Sequence, residues 1–210
     1  MKLRLFISNR FDAVENLEFE KYLMQLAEDT SILYLWQNRN AVIIGQNQIA
    51  ESEVNFKIAQ KFQTQIVRRI TGGGAVFHDL GNLNFSFIMP RNLYDRNLTS
   101  RIIIETIAKF DLKAYRDGRN DFAIDGKKFS GLAFHSNDRV FLEHGTLMVD
   151  VNLRKMESLL TVNREKLERH GIQSVPERVV NLKSLNPKIS IESIRIALAQ
   201  KFFEIWRDFR

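Results

Sequence analysis

Three consecutive glycines, Gly72, Gly73 and Gly74, stand in the segment RRITGGGAVFHDLG, with Arg68 and Arg69 before them and His78 after. Glycine loses more conformational freedom on folding than any other residue, so a run of three calls for a compensating use. One use is chemical. A backbone without Cβ atoms can bring several N–H groups against a phosphate, and a neighbouring arginine adds bidentate, charge-assisted bonds. The other is geometric, a tight bulge or barrel corner. The loop residues alone leave both uses open. Neither standard nucleotide loop applies, since no Lys-Ser or Lys-Thr follows and no Gly-x-Gly-x-x-Gly leads into a helix.

A second concentration of polar residues is GRNDFAIDGKKFSGLAF, residues 118 to 134. Asn120 and Asp121 precede one apolar run, and Lys127 and Lys128 begin another. Paired as strands, these runs bring Asp121 near Lys128. The alternation through Phe129, Ser130, Gly131 and Leu132 turns Lys128 inward and Lys127 to solvent, and an inward lysine wants an anion. Taken singly, a solvated turn accounts for Asp121, Lys127 and Lys128, and His78 and His144 read as satisfied core or rim histidines. The four histidines show no His-Glu-x-x-His spacing, so no structural metal is expected. Cysteine is absent from the 210 residues, which excludes disulfides, thiolate metal sites and a thiol nucleophile within them.

These residues must be positioned by the elements around them. Leu17, Leu23, Met24, Leu26 and Ala27 recur at helical spacing within 13–28. SILYLW and AVIIG, joined by Asn38-Arg39-Asn40, predict a hairpin. Val54, Ile58 and Phe62 predict a helix over 51–62, and QIVRR a strand. AVFH and LNFSFIM around Asp79-Leu80-Gly81-Asn82 predict a second hairpin. Residues 98–110 read as a helix, and 113–151 as a meander punctuated by Asp117-Gly118, Asp125-Gly126 and Asn137-Asp138. Ile191, Ile194, Leu198, Phe202, Ile205 and Phe209 then follow a helical stripe. The expected class is α+β, a mixed, largely antiparallel sheet flanked by helices, in one domain over 1–210.

At 44% apolar and 27% charged residues the chain has the composition of a globular protein. MKLRLFISNRFD carries no apolar stretch of signal-peptide or membrane-span length, so a cytoplasmic location is expected. A net charge of +6 suits nucleic acid, anionic nucleotides or an acidic protein, but it is spread along the chain and is met as well by a solvated basic surface. Nucleic-acid binding would rest on charge alone and is not expected.

The two polar segments occur in a longer order: RRITGGGAVFHDLGNLNFSF, GRNDFAIDGKKFSGLAF, HGTLMVDVNL, then SVPERVVNL. That succession resembles the lipoate-protein ligase family from about residue 15 onward. The resemblance implies the fold of biotin and lipoate ligases, related to class II aminoacyl-tRNA synthetase domains. It implies that ATP and lipoate, or octanoate, give the acyl-adenylate and pyrophosphate. The acyl group then passes to a lysine of a lipoyl domain, in 2-oxoacid dehydrogenase acyltransferase subunits or the glycine cleavage H protein. By the same resemblance Arg69 contacts phosphate, Gly72 and Gly73 shape the approach, and Gly74, Ala75, Val76 and Phe77 line the nucleotide. His78 and Asn120 join the adenylate-binding set, Lys128 contacts both the acyl carboxyl and the α-phosphate, and Asp121 is a candidate ligand for Mg²⁺. Phe77, Phe85 and Phe87 stand as a slot for the acyl tail or as core.

The related octanoyl- and lipoyl-transferases work through a cysteine thioester, which a chain without cysteine cannot form. Biotin ligases carry arginines among the loop glycines, whereas Gly72-Gly73-Gly74 is uninterrupted. The small C-terminal domain of longer family members is expected to be absent. The competing expectation is therefore a core that binds or only transfers the acyl group, dependent on a missing domain or a separate accessory subunit.

Overall fold

Strand β1 (Lys2–Ile7) leads into helix α1 (Ala13–Leu26), which begins where the Asp12 carboxylate accepts the N–H groups of Val14 and Glu15. Strand β2 (Thr30–Trp36) returns parallel to β1. The computed structural model describes residues 2–118, 120–161 and 178–208. After β2 the chain forms β3 (Asn40–Ile44), α2 (Ala50–Glu53), α3 (Phe56–Lys61), β4 (Gln65–Arg68), β5 (Val76–Asp79), β6 (Asn82–Pro90) and α4 (Arg96–Ala108). Then come β7 (Tyr115–Asp117), β8 (Asp121–Ile124), β9 (Lys127–Ser136), β10 (Val140–Met148), α5 (Leu153–Leu159), α6 (Leu182–Leu185) and α7 (Ile191–Asp208).

The strands form two sheets. The larger has the order β1-β2-β6-β10-β9-β8-β7 and is antiparallel except at β1-β2. The smaller has the order β4-β3-β5, with β3 parallel to β4 and antiparallel to β5. This is the expected α+β class, and the expected meander is present as β7 to β10. Its β8-β9 turn places Asp125 at φ 49° and Gly126 at φ 75°, the pair of positive values that an Asp-Gly hairpin turn requires.

Both other expected hairpins are corrected. β2 pairs with β1 and β6 and not with β3, while β5 pairs with β3 and β6 with β2 and β10. The turns form where their residues indicate, but each hands the chain from one sheet to the other. Tertiary contacts hold them there. Buried Asn38 is bonded to Asn16 and His78, and Gly81 abuts the backbone so closely that a Cβ would lie 2.0 Å from the Asp150 carbonyl oxygen. Sequential strands pair often but not always, and turn chemistry does not name the partner.

The single helix expected over 51–62 is also corrected. Val54 is extended (φ −126°, ψ 132°) and bridges Leu160, and Asn55 restarts the chain as α3 by accepting the Ile58 N–H. The terminal stripe folds as α7, and Phe209 lies outside the described residues.

Along β6, side chains alternate between faces. Leu83, Phe85, Phe87 and Met89 enter the main core with Ile102, Ile107, Phe202 and Trp206 of α4 and α7. Phe85 and Phe87 are wholly buried there, which makes them core and removes them from any acyl slot. Asn82, Asn84 and Ser86 occupy the opposite face, toward α1 and the small sheet.

Candidate functional site

The glycine loop joins β4 to β5 across the opening between the sheets. Gly73 takes φ +91°, and a Cβ on Gly45 would lie 2.1 Å from the Gly73 carbonyl oxygen. Those two positions demand glycine for geometry. Gly72 and Gly74 do not: neither has a positive φ, and a Cβ on either would meet nothing within 4 Å. The tight-turn explanation thus covers one of the three loop glycines, and the others keep open space beside the backbone. The N–H groups of Gly72, Gly73, Gly74 and Ala75 have no acceptor among the described residues.

Arg69 lies beneath the loop, 6% exposed. Its Nη2 donates to the carbonyls of Gly72 (2.7 Å) and Gly74 (2.8 Å), its Nη1 to Ile43 (3.1 Å) and its Nε to Thr71 Oγ1 (2.8 Å). Burial pulls its pKa down to about 10, opposed by the charge of Glu20. Arg68 donates to the carbonyls of Gly45, Gln46 and Gln48.

Behind Arg69 runs a buried polar chain. Thr71 Oγ1 bonds His144 Nε2 (2.9 Å), and His144 Nδ1 donates to Glu20 at 2.9 and 3.1 Å. Glu20 also accepts from Ser86 Oγ, which accepts in turn from Trp36 Nε1 (3.0 Å). A buried network with its members satisfied rigidifies what it joins, here α1, β2, β6, β10 and the loop.

The opposite wall carries the cation. Lys128 Nζ is 2.8 Å from Asp121 Oδ1, with side chains 42% and 40% exposed. A bulge at Phe122/Ala123 sets Asp121 opposite Gly131 and Lys128 opposite Ala123. A Cβ on Gly131 would lie 3.0 Å from the ammonium, so glycine there gives Lys128 room to fold over the strand. Lys127 is exposed.

The structure brings these parts to one cleft of about 210 Å³, open to solvent, between the glycine loop and β9-β10. Arg69, Gly73, Gly74, Ala75, Val76, His78, Asn120, Asp121 and Lys128 all line it; Gly72 and Phe77 do not. Its far end combines the apolar side chains of Leu17, Trp36 and Ile43 with the polar residues His78 and Asn84 beside Trp36. It opens past Lys128 into a second space of about 530 Å³ bounded by Phe77, Met148, Met156 and Arg178. Residues 174–177 of SVPERVVNL lie outside the described residues, while Val179 bridges Lys128 and brings Arg178 to the second space.

His78 is 3% exposed, bonded at Nδ1 to Asn38 Nδ2 (3.1 Å), and burial lowers its pKa to about 3. Sequence reasoning assigned nothing to Glu20, Trp36, Thr71, Asn84 or Arg178. The one signal for the buried members was a polar residue, Glu20, on the apolar face of α1.

Among the described residues no group of three or more His, Cys, Asp or Glu could hold a metal ion. Asp117 and Asp121 are register partners on β7 and β8, and both line the second space. Two carboxylates suit Mg²⁺, which keeps several waters and takes further oxygens from substrate phosphates. No helix among the described residues is long and apolar enough to cross a membrane.

The family model for the lipoyl protein ligase A/B catalytic domain matches residues 12–203. The chain is 37% identical over 208 residues to lipoate-protein ligase A of Blochmanniella pennsylvanica, covering 96% of this chain and 61% of that protein. The chain therefore spans about three fifths of the length of the curated relatives it matches. Plasmodium falciparum LipL1, solved in complex with lipoate, is similar at 31% identity and a TM-score of 0.85, over 99% of this chain and 63% of that one. A bi-partite lipoate protein ligase solved with its E2 lipoyl domain, from Thermoplasma acidophilum, is similar at 29% and 0.84, over 98% and 83%. A lipoate-protein ligase A bound with ATP is similar at 27% and 0.84, over 99% and 86%. A biotin protein ligase of Leishmania major shares the fold, with a TM-score of 0.56 at 9% identity.

Proposed function

Given that the chain belongs to the lipoyl protein ligase A/B catalytic domain family, we propose that it activates lipoate or octanoate with ATP and transfers the acyl group to a lysine of a lipoyl domain. The observation that carries this reading is the convergence on one cleft of a glycine loop whose N–H groups have no acceptor, and a lysine whose ammonium has no partner but a half-exposed carboxylate, among the described residues. The relatives solved with lipoate, with ATP and with an E2 lipoyl domain support each component.

The N–H groups of Gly73 to Ala75 donate to phosphate oxygens, and Arg69 holds the Gly72 and Gly74 carbonyls back while adding positive field from below. Val76 and Phe77 continue the nucleotide wall, with Asn120 across from them. Lys128 exchanges Asp121 for the substrate. Carboxylate attack on the α-phosphorus brings two anions together and builds charge on the phosphoryl oxygens, and a fixed ammonium between them stabilises that charge. The acyl tail runs toward Leu17, Trp36 and Ile43, past His78. Asp121 and Asp117 are the carboxylates that would hold Mg²⁺, whose charge would there offset that of the pyrophosphate leaving group.

In the second step the acceptor lysine loses its proton and attacks the acyl carbon, and AMP leaves. The chain contains no cysteine for a thioester route, so the adenylate is the acyl donor. The acceptors that fit are the lipoyl domains of 2-oxoacid dehydrogenase acyltransferase subunits and the glycine cleavage H protein, with the basic surface docking acidic partners.

The test is to incubate the protein with ATP, Mg²⁺, lipoate and an apo lipoyl domain, following pyrophosphate and acceptor mass. Both should appear. Pyrophosphate without acceptor modification indicates activation alone, and transfer only from supplied lipoyl-adenylate indicates a core that needs an accessory subunit. Absence of both removes the ligase reading.

A further inference from the structure

His78 and Asn84 both line the cleft, and each carries a buried hydrogen-bond donor that has no partner among the described residues. His78, on β5, sets its ring edge-on to Trp36 with centroids 6.0 Å apart. Asn84, on β6, is 1% exposed and directly opposite both Trp36 of β2 and Thr146 of β10. Both line the cleft at its Trp36 end.

The protons can be assigned along a chain of bonds. Asn16 Nδ2 shares its two hydrogens among three acceptors, the carbonyl oxygens of Arg10 (3.2 Å) and Gln37 (2.9 Å), which only accept, and Asn38 Oδ1 (3.0 Å). Asn38 therefore turns Nδ2 toward His78 Nδ1. That ring nitrogen accepts, which leaves the proton of the neutral imidazole on Nε2. Asn84 Oδ1 accepts from Asn82 Nδ2 at 2.8 Å, so Asn84 Nδ2 is the remaining donor. Neither His78 Nε2 nor Asn84 Nδ2 has a partner among the described residues. Desolvation, helped by Arg69 and His144, keeps His78 uncharged at working pH.

Their place along the cleft indicates what they meet. Asn84 is two strands from Gly131, about 10 Å at ~5 Å per strand, and the Lys128 ammonium lies over Gly131. A cation thus stands at one end and a pair of neutral donors at the other, separated by roughly the reach of the pentanoate arm of lipoate. We propose that His78 Nε2–H and Asn84 Nδ2–H determine specificity, selecting acids whose far end carries acceptor atoms, the ring sulfurs of lipoate, over acids ending in alkyl carbon. This rests on the ligase reading above. Both donors are already buried without partners among the described residues, so an acceptor atom on the acid relieves a standing cost that an alkyl end leaves in place. Sulfur is a weak acceptor, so the expected preference is about tenfold, far below that for an oxygen acceptor.

The test compares lipoate with 5-cyclopentylpentanoate, which keeps the ring and arm but has no sulfur, by pyrophosphate release in the protein and in Asn84→Leu. The unaltered protein should show kcat/KM about tenfold higher for lipoate, and Asn84→Leu, which leaves the His78 donor in place, should lower that ratio to about threefold. A purely structural role for Asn84 would lower both acids in parallel and keep their ratio, which overturns the proposal. Equal use of both acids by the unaltered protein overturns it without reference to any variant. If neither acid yields pyrophosphate, the ligase reading itself fails and the proposal with it.

Discussion

Gly45 and Gly73 are in backbone contact: a Cβ on Gly45 would sit 2.1 Å from the Gly73 carbonyl oxygen. Gly45→Ala must therefore displace the loop, with an overpacking cost of about 1–3 kcal/mol. Thermal melting should register the loss, and ATP affinity should fall with it. Gly74→Ala is the informative counterpart, because Gly74 lines the cleft and its Cβ meets no protein atom within 4 Å. Stability should hold within about 0.5 kcal/mol while ATP affinity drops, since the methyl enters the space assigned to phosphate. Unchanged affinity in Gly74→Ala would count against the cradle.

Lys128→Ala should cost roughly 10² to 10³ in the rate of pyrophosphate release, the usual worth of one donor at developing charge. Its ion pair with Asp121 is half exposed, so its removal should barely alter the urea midpoint. Equal losses of activity and stability would assign Lys128 to structure instead.

Glu20→Ala should be among the more damaging single changes. It strips the buried donors of His144 and Ser86 of their acceptor, a cost of about 3 kcal/mol, and loosens Thr71 and Arg69 beneath the loop. Urea unfolding gives the first effect and ATP affinity the second. Glu20→Gln retains one acceptor oxygen and should fall between the two proteins.

Stability should decline in acid through His78. Its pKa is about 3 in the folded protein against 6.5 for the free group, because burial disfavours the cation. Above pH 6.5 neither state is protonated and His78 contributes no slope. Below it the unfolded chain binds a proton that the folded chain refuses, so this contribution is lost toward pH 3 at up to about 1.4 kcal/mol per pH unit. Buried Glu143 acts oppositely, since desolvation raises its pKa and the folded state takes up its proton first as pH falls. Urea midpoints of His78→Phe should therefore change less between pH 6.5 and 4.5 than those of the unaltered protein. An identical slope would remove His78 as the cause.

What was legible in advance is what local chemistry controls. Asp125-Gly126 forms one turn type, and a period of two along β9 then faces Lys128 toward Asp121, so the cation of the site followed from about a dozen adjacent residues. The terminal stripe and α1 followed from spacing in the same way. The misread parts depend on distant neighbours. Asn38-Arg39-Asn40 and Leu80-Gly81 look like hairpin turns because they are turns, but burial between α1, β6 and β10 decides that their strands join different sheets. The 51–62 helix breaks because Val54 finds Leu160.

The order of the four sequence blocks was enough to identify the family, the α+β class and Lys128 as a residue of the cleft. Only the tertiary structure decided that Arg69 braces the loop from below, that Glu20 reaches it through His144, and that Phe85 and Phe87 are core while Trp36 ends the cleft. The reason is physical. Periodicity and turn preference act over a few residues, whereas which polar groups are buried together, and which remain unpaired, depends on packing between elements far apart in the chain.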